Sequence, residues 1–268
     1  MTDLAAALSA ARVYDLGQPL YDGMPASPSH PGYRAVLHRR HGDVVREDGG
    51  SAAGDLLVMG SHTGTHIDAL AHVSADGRLH GGIDAAEAQT GGSFSSHGVE
   101  TLEPLVGAGV LLDLAAAAGV DVLEGGHGID ADQLQAAERL AGLTLRDGDV
   151  ALVRTGWARH YGDSEAFVGL RSGVPGVDPS GARWLAGRGA RATGSDTLAY
   201  ERIPRGEGHR RLPVHGILLV EYGIPIIEML NLESLASEGI YRFGLVLAPL
   251  RLVGATGSPV RPLALVAS

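Results

Sequence analysis

Short β-rich runs alternate with capped helices along this chain, and that alternation most narrowly limits its fold. The runs are Leu56 to Met59, Val110 to Leu114, Val150 to Thr155, Ile224 to Ile227, Phe243 to Ala248 and Val260 to Val266. Between them, IDADQLQAAERLAG predicts a helix. Asp130 and Gln133 form a capping-box-like start, Leu134, Ala137, Leu140 and Ala141 follow at helical spacing, and Gly142 stops the run. DPSGARWLAG predicts another, with Asp178 as N-cap and Pro179 in the first turn, where its missing N–H costs nothing. Both lead into β-like segments, so the pattern is mixed α/β. The 40 glycines and 13 prolines are spread through turns and form no linker or repeat, which predicts a single domain over residues 1–268.

Composition removes whole classes of chemistry. With no cysteine, thiolate nucleophiles, disulfides and cysteine-based zinc sites are excluded. All 21 basic residues are arginine, so a Schiff-base lysine and a P-loop lysine are excluded as well. A formal charge of −10 opposes nucleic acid or an anionic membrane as partner. The apolar run at 110–120 is interrupted by Asp113 and is too short to span a bilayer. The N-terminal stretch carries Asp3 where a signal peptide would be basic, so it reads as a short helix of a cytoplasmic protein. RIPRGEGHRR, residues 202–211, reads as a solvated loop, with anion binding or a subunit contact as alternatives. GRGARATG, residues 187–194, imitates a dinucleotide fingerprint but closes a helix rather than opening one.

One stretch concentrates chemistry. SHTGTHIDALAH, residues 61–72, places His62, His66, Asp68 and His72 within eleven residues. Imidazole and carboxylate suit zinc, manganese or iron, and three such ligands leave positions open to water. A helix would turn Asp68 away from the histidines, and Gly64-Thr65 favours no helix. An extended strand aligns all four residues on one face but holds His62 and His66 roughly 13 Å apart, too far for bonds of about 2 Å. A shared ion therefore requires the chain to curl at Gly64-Thr65, which glycine permits.

The pattern H-T-G-T-H-x-D-A-x-x-H resembles the signature of the cyclase superfamily of metal-dependent hydrolases, which includes bacterial kynurenine formamidase and isatin hydrolase. The similarity extends, in order, to DLGQPLYDGMP at 15–25, LVRTGW at 152–157, GSDTL at 194–198, LPVHGILLVEYGIPIIEMLNL at 212–232 and GATGSPVRPLA at 254–264. The resemblance implies a swivelling β/β/α-type fold with a central mixed or barrel-like sheet and peripheral helices. It implies His62, His66 and Asp68 as metal ligands, His72 as general acid or base, and His215 and Glu228 as completing a second site. It also implies one or two divalent ions, zinc or manganese, and a homodimer or homotetramer. The chain can bring His215 and Glu228 together, through a helix of about seven residues and a turn at Gly223-Ile-Pro225.

The activity expected is hydrolysis of a C–N bond in a small amide, formamide or cyclic imide. A non-hydrolytic cyclase or dehydratase, a lactonase, and a catalytically silent metal or small-ligand binding protein stay open. Leu70 stands where many members have proline, and apparent extra material at 76–100 and 118–130 is expected to form loops that reshape the pocket.

Overall fold

The computed structural model describes residues 4–267; Asp3 lies outside them. The α/β alternation resolves into a mixed nine-stranded sheet, curled as a half-barrel. Across the sheet the strands run Arg12–Asp15, Leu263–Val266, Arg242–Leu247, Leu105–Asp113, Val150–Arg154, Ala192–Ser195, Ile226–Glu228, His66–Asp68 and Gly257–Pro259. The four from Leu105–Asp113 to Ile226–Glu228 are mutually parallel, and antiparallel strands flank them on both sides.

Parallel strands are covered on both faces, and the β-rich runs read accordingly. Along Leu105–Asp113, Val110 and Leu112 enter one hydrophobic cluster while Leu111 enters another. Ala151 and Val153 join the first cluster, and Val150 and Leu152 the second. The helices Ala131–Ala141 and Pro179–Gly187 supply Leu134, Ala137, Ala182 and Leu185 to the first. Both begin as expected. Asp130 and Gln133 cap each other's orphan backbone groups, Gly142 takes the left-handed conformation at φ 62°, and Asp178 accepts from Ser180 and Gly181. GRGARATG ends the second helix and enters the strand Ala192–Ser195. The alanine-rich start is a helix over Leu4–Ala10.

Two of the motifs meet at the carboxyl ends of neighbouring parallel strands. Asp196, from GSDTL, accepts from the Thr155 and Gly156 N–H groups and from the Thr155 hydroxyl of LVRTGW. Burial pushes the Asp196 carboxyl up to about 6 against the pull of these donors. Beside them, Arg154 is clamped between Asp113 at 2.8 Å and Glu233 at 2.7 Å.

The expectation for the two apparent insertions needs correction. Residues 76–100 fold into short elements around their own small cluster of Leu79, Ala85 and Ala88, and neither they nor 118–130 line the cavity that holds His62, His66 and His72. Contacts within the segment and to the rest of the chain anchor it: Asp84 caps the helix Ala85–Ala88, His97 Nε2 donates to the His80 carbonyl, His80 Nδ1 donates to the Val220 carbonyl, and the Phe94 and Val99 N–H groups donate to the Gly254 and Ala255 carbonyls.

Candidate metal centre

The segment His62 to Asp68 curls and then straightens, as the distance argument requires. Gly64 adopts φ +71°, and the strand begins at His66. The curl brings the His62 and His66 rings to 5.2 Å between centroids. In the strand, His66 and Asp68 share one face by the two-residue period, while Ile67 points into the core. Register then adds Glu228, because His66 pairs with Glu228 across the antiparallel neighbour. Ile227, like Ile67, packs into the core beneath.

His215 arrives from a distant segment. A helical stretch over Pro213–His215 and Gly216–Glu221 leads to Gly223 at φ +66° and into the strand Ile226–Glu228. His215 Nε2 lies 3.3 Å from Glu228 Oε1 and 3.5 Å from Asp68 Oδ2. His66 Nε2 lies 3.4 Å from both Asp68 Oδ1 and Glu228 Oε2.

Hydrogen bonds fix which nitrogens face inward. The Gly64 carbonyl can only accept, so His66 Nδ1 carries the proton and donates to it at 2.7 Å. His215 Nδ1 donates to Glu201 Oε1 at 2.6 Å. Both Nε2 atoms are left facing the two carboxylates, and a bound ion displacing their protons would leave each ring in the tautomer a metal ligand needs. His62 is held between Asp68 Oδ1 at 2.7 Å and the Thr256 hydroxyl at 2.8 Å. His72 stacks on His62 at 3.9 Å between centroids. The turn that carries it closes through a bond from His72 N–H to the Ala69 carbonyl, and Leu70 packs against the core without disturbing that turn.

The site fits a cation by its own chemistry. Among the described residues, Asp68 Oδ2 and Glu228 Oε1 are buried carboxylate oxygens with no hydrogen-bond donor. Burying such atoms unpaired is costly, and no arginine compensates them; an ion would. The candidate ligand atoms of His62, Asp68 and His72 lie within 4.8 Å of one another, as do those of His66, Asp68 and Glu228, with Asp68 common to both groups.

Electrostatics separate His72 from its neighbours. With protein partners alone, burial opposes charge throughout, yet the Asp68 and Glu228 carboxylates outweigh it at His66, raising it to about 10, and hold His215 well above its usual value. Asp68 is held well below the usual carboxylate range, despite burial, by the surrounding histidines. At His72 burial wins, bringing the imidazole down to about 4.

The matching family model bears the name Cyclase and covers residues 14–202. This chain belongs to the cyclase family. Among cyclase-family relatives, an isatin hydrolase of Roseibium aggregatum is 28% identical over 226 residues, covering 82% of this chain and 77% of its own. A kynurenine formamidase of Bacillus cereus is 26% identical over 247 residues, covering 92% and 94%. A crystal structure described as a novel cyclase superposes with a TM-score of 0.84 at 27% identity, over 97% of this chain and 88% of that one. Isatin hydrolase A from Ralstonia solanacearum superposes at 0.77 with 28% identity, over 99% and 98%.

The cyclase-family motif does not account for everything at the site. Glu201, buried, holds His215 through its side chain and through both backbone N–H groups at Val214 and His215. His30 lies 5.3 Å from the His62 ring, and His209 lines the same cavity from within 202–211. That segment is therefore more than a solvated loop: Ile203 is buried and His209 is partly so. Sequence reasoning missed these residues because their neighbours give no periodic or motif signal. The four arginines around His209 were the one local sign.

Proposed function

We propose that this protein is a metal-dependent hydrolase that cleaves the C–N bond of a small amide, formamide or cyclic imide. The relatives' activities support the reaction class. The observation that carries the reading is the pair of donorless buried carboxylate oxygens facing two inward imidazole Nε2 atoms. In this reading His62, His66, Asp68, His215 and Glu228 hold one or two divalent ions, zinc or manganese. A divalent ion there would lower the pKa of water and polarise the substrate carbonyl.

The chain's own residues supply the rest. His72, kept neutral by burial that depresses its pKa to about 4, presents an unprotonated but weakly basic nitrogen at neutral pH, suited to taking a proton from water that a bound ion would acidify. It takes one from the attacking water as the oxygen–carbon bond forms, and returns one to the nitrogen as the C–N bond breaks. Glu201 and the Gly64 carbonyl fix the rings of His215 and His66, so that these two candidate ligands are oriented before an ion or substrate binds. The cavity, of about 310 Å³, suits a small molecule.

The test is to strip the protein with a chelator, restore zinc or manganese separately, and assay an amide, imide and lactone panel in heavy-oxygen water. Metal-dependent product carrying one solvent oxygen is expected. Product without solvent oxygen would point instead to a cyclase or dehydratase, and failure on the whole panel to a binding protein.

We also infer a single functional unit, since the sheet draws strands from residue 12 to residue 266; limited proteolysis tests this. A homo-oligomer, dimer or tetramer, is supported by the hairpin Arg34–Arg39 and Gly54–Val58. Val36, Leu37, Leu56, Leu57 and Val58 are each more than half exposed there, and a two-stranded hairpin is marginal alone. Sedimentation velocity would detect the assembly. No helix among the described residues is long and apolar enough to cross a membrane, and a chain without cysteine suits the reducing cytoplasm, which cell fractionation can test.

A further inference from the structure

The candidate metal ligands occupy one part of a larger space. Ser27, Ser29 and His209 line their cavity and also line a second chamber of about 260 Å³, so the two adjoin through these residues. The walls of the second chamber include Val168, Leu170 and Ile203, with Arg210 beside His209. A cavity of roughly 150 Å³ can hold benzene, so this chamber has room for one ring and a substituent.

Charge at this mouth runs against the rest of the molecule. Residues 202–211 hold four arginines and one glutamate, a local +3 in a chain of −10. Arg202 donates to the Gly126 carbonyl. Arg205, Arg210 and Arg211 are exposed, and among the described residues none has an ion pair. A guanidinium at the rim of an apolar chamber attracts anions over several ångströms and receives a carboxylate with its planar fork. Inside the cavity, Asp68 and Glu228 would be neutralised by a divalent ion, leaving the rim arginines as the dominant uncompensated charge.

We propose that the substrate of this site is an anionic amide: its scissile bond lies at the metal centre, its ring-sized apolar body fills the chamber of Val168, Leu170 and Ile203, and its carboxylate is received by Arg210. The proposal rests on the hydrolase reading and adds the substrate class. Arg210 is then a specificity residue whose contact is made before the reaction and kept through it, so its loss raises KM more than it lowers kcat.

The experiment compares the metal-restored protein on 4-formamidophenylacetate and on neutral 4-formamidotoluene. At low salt kcat/KM is expected to favour the anion at least about tenfold, a preference that shrinks with added sodium chloride. Arg210→Gln should abolish the preference, chiefly through KM. Arg211→Gln, at an exposed arginine lining neither chamber, should keep most of it. In parallel, thermal unfolding with phenylacetate or benzyl alcohol reads binding without turnover: phenylacetate should stabilise the wild type and not Arg210→Gln. Turnover of both formamides without charge preference overturns the proposal and leaves the hydrolase reading standing. Turnover of neither, with phenylacetate stabilising only the wild type, overturns the hydrolase reading for formamides and keeps the anion site. Equal losses in both arginine variants, or a change of oligomeric state without change in charge preference, would also overturn it.

Discussion

Gly64→Ala tests the local geometry on which the whole centre depends. Gly64 sits at φ +71°, where an L residue costs about 1–2 kcal/mol. A Cβ there would stand 2.4 Å from Leu20 Cδ2 and 3.3 Å from Met24 Cε. Leu20 is 40% exposed and its methyl can swing outward, whereas Met24 is buried, so the packing cost belongs at the low end, about 1 kcal/mol. The sum is about 2–3 kcal/mol, which for a chain of this size lowers Tm by roughly 5 °C. Gly23→Ala is the matched control: its φ is +86° but an added Cβ meets nothing within 4 Å, so it carries the backbone cost alone. The excess of Gly64→Ala over Gly23→Ala should disappear in a Leu20→Ala background, as a double-mutant cycle would show. Relaxing the strain also opens the separation between His62 and His66, so zinc affinity by calorimetry should fall at least about tenfold in Gly64→Ala, on the scale of losing an orienting partner. If Gly64→Ala matches Gly23→Ala in Tm and keeps wild-type zinc affinity, the left-handed glycine does not build the site.

Asp68→Asn removes the carboxylate common to both candidate ligand groups; zinc at about a hundred times its Kd, expected to add about 2.7 kcal/mol to the wild type, should leave the variant's Tm unchanged. His72→Ala should keep bound metal and lose about 10²–10⁴ in kcat. Because burial holds His72 down at about 4, the base form persists below the ordinary imidazole range, so the acid limb of kcat/KM should lie well under pH 6; a limb near 6.5 that vanishes in His72→Ala would contradict the assignment. Arg154→Ala leaves Asp113, 2% exposed, without its buried partner and should cost about 3–5 kcal/mol in urea unfolding; a loss below about 1 kcal/mol would mean the clamp is not a stabilising pair.

The sequence by itself determined the features written in short-range chemistry. Asp130 with Gln133, and Asp178 with Pro179, fix helix starts within one turn, and the glycines end turns where only a left-handed residue fits. The curl at Gly64 followed from two numbers, the rise of a strand and the length of a metal bond. Strand ends were less legible: the run expected at Leu56 to Met59 belongs to an exposed hairpin outside the main sheet, and the three-residue strand His66–Asp68 is too short for periodicity to reveal.

Tertiary structure alone decided how distant segments meet. Pairing His66 with Glu228 is a matter of register between residues 162 positions apart, which no local pattern encodes, although family resemblance supplied the residue. Glu201 behind His215, Thr256 behind His62, and His30 and His209 at the cavity lie on loops whose sequences carry no periodic signal. The same holds for 76–100, expected at the pocket, which instead packs around a small core of its own and against the chain at Val220 and Gly254-Ala255. Short-range preferences fix the conformation of a segment, whereas its neighbours are chosen by burial of apolar surface summed over the whole chain. The candidate ligands His62, His66 and Asp68 are therefore readable in twelve residues, while their companions His215 and Glu228, the supports and the mouth come together only once the sheet has folded.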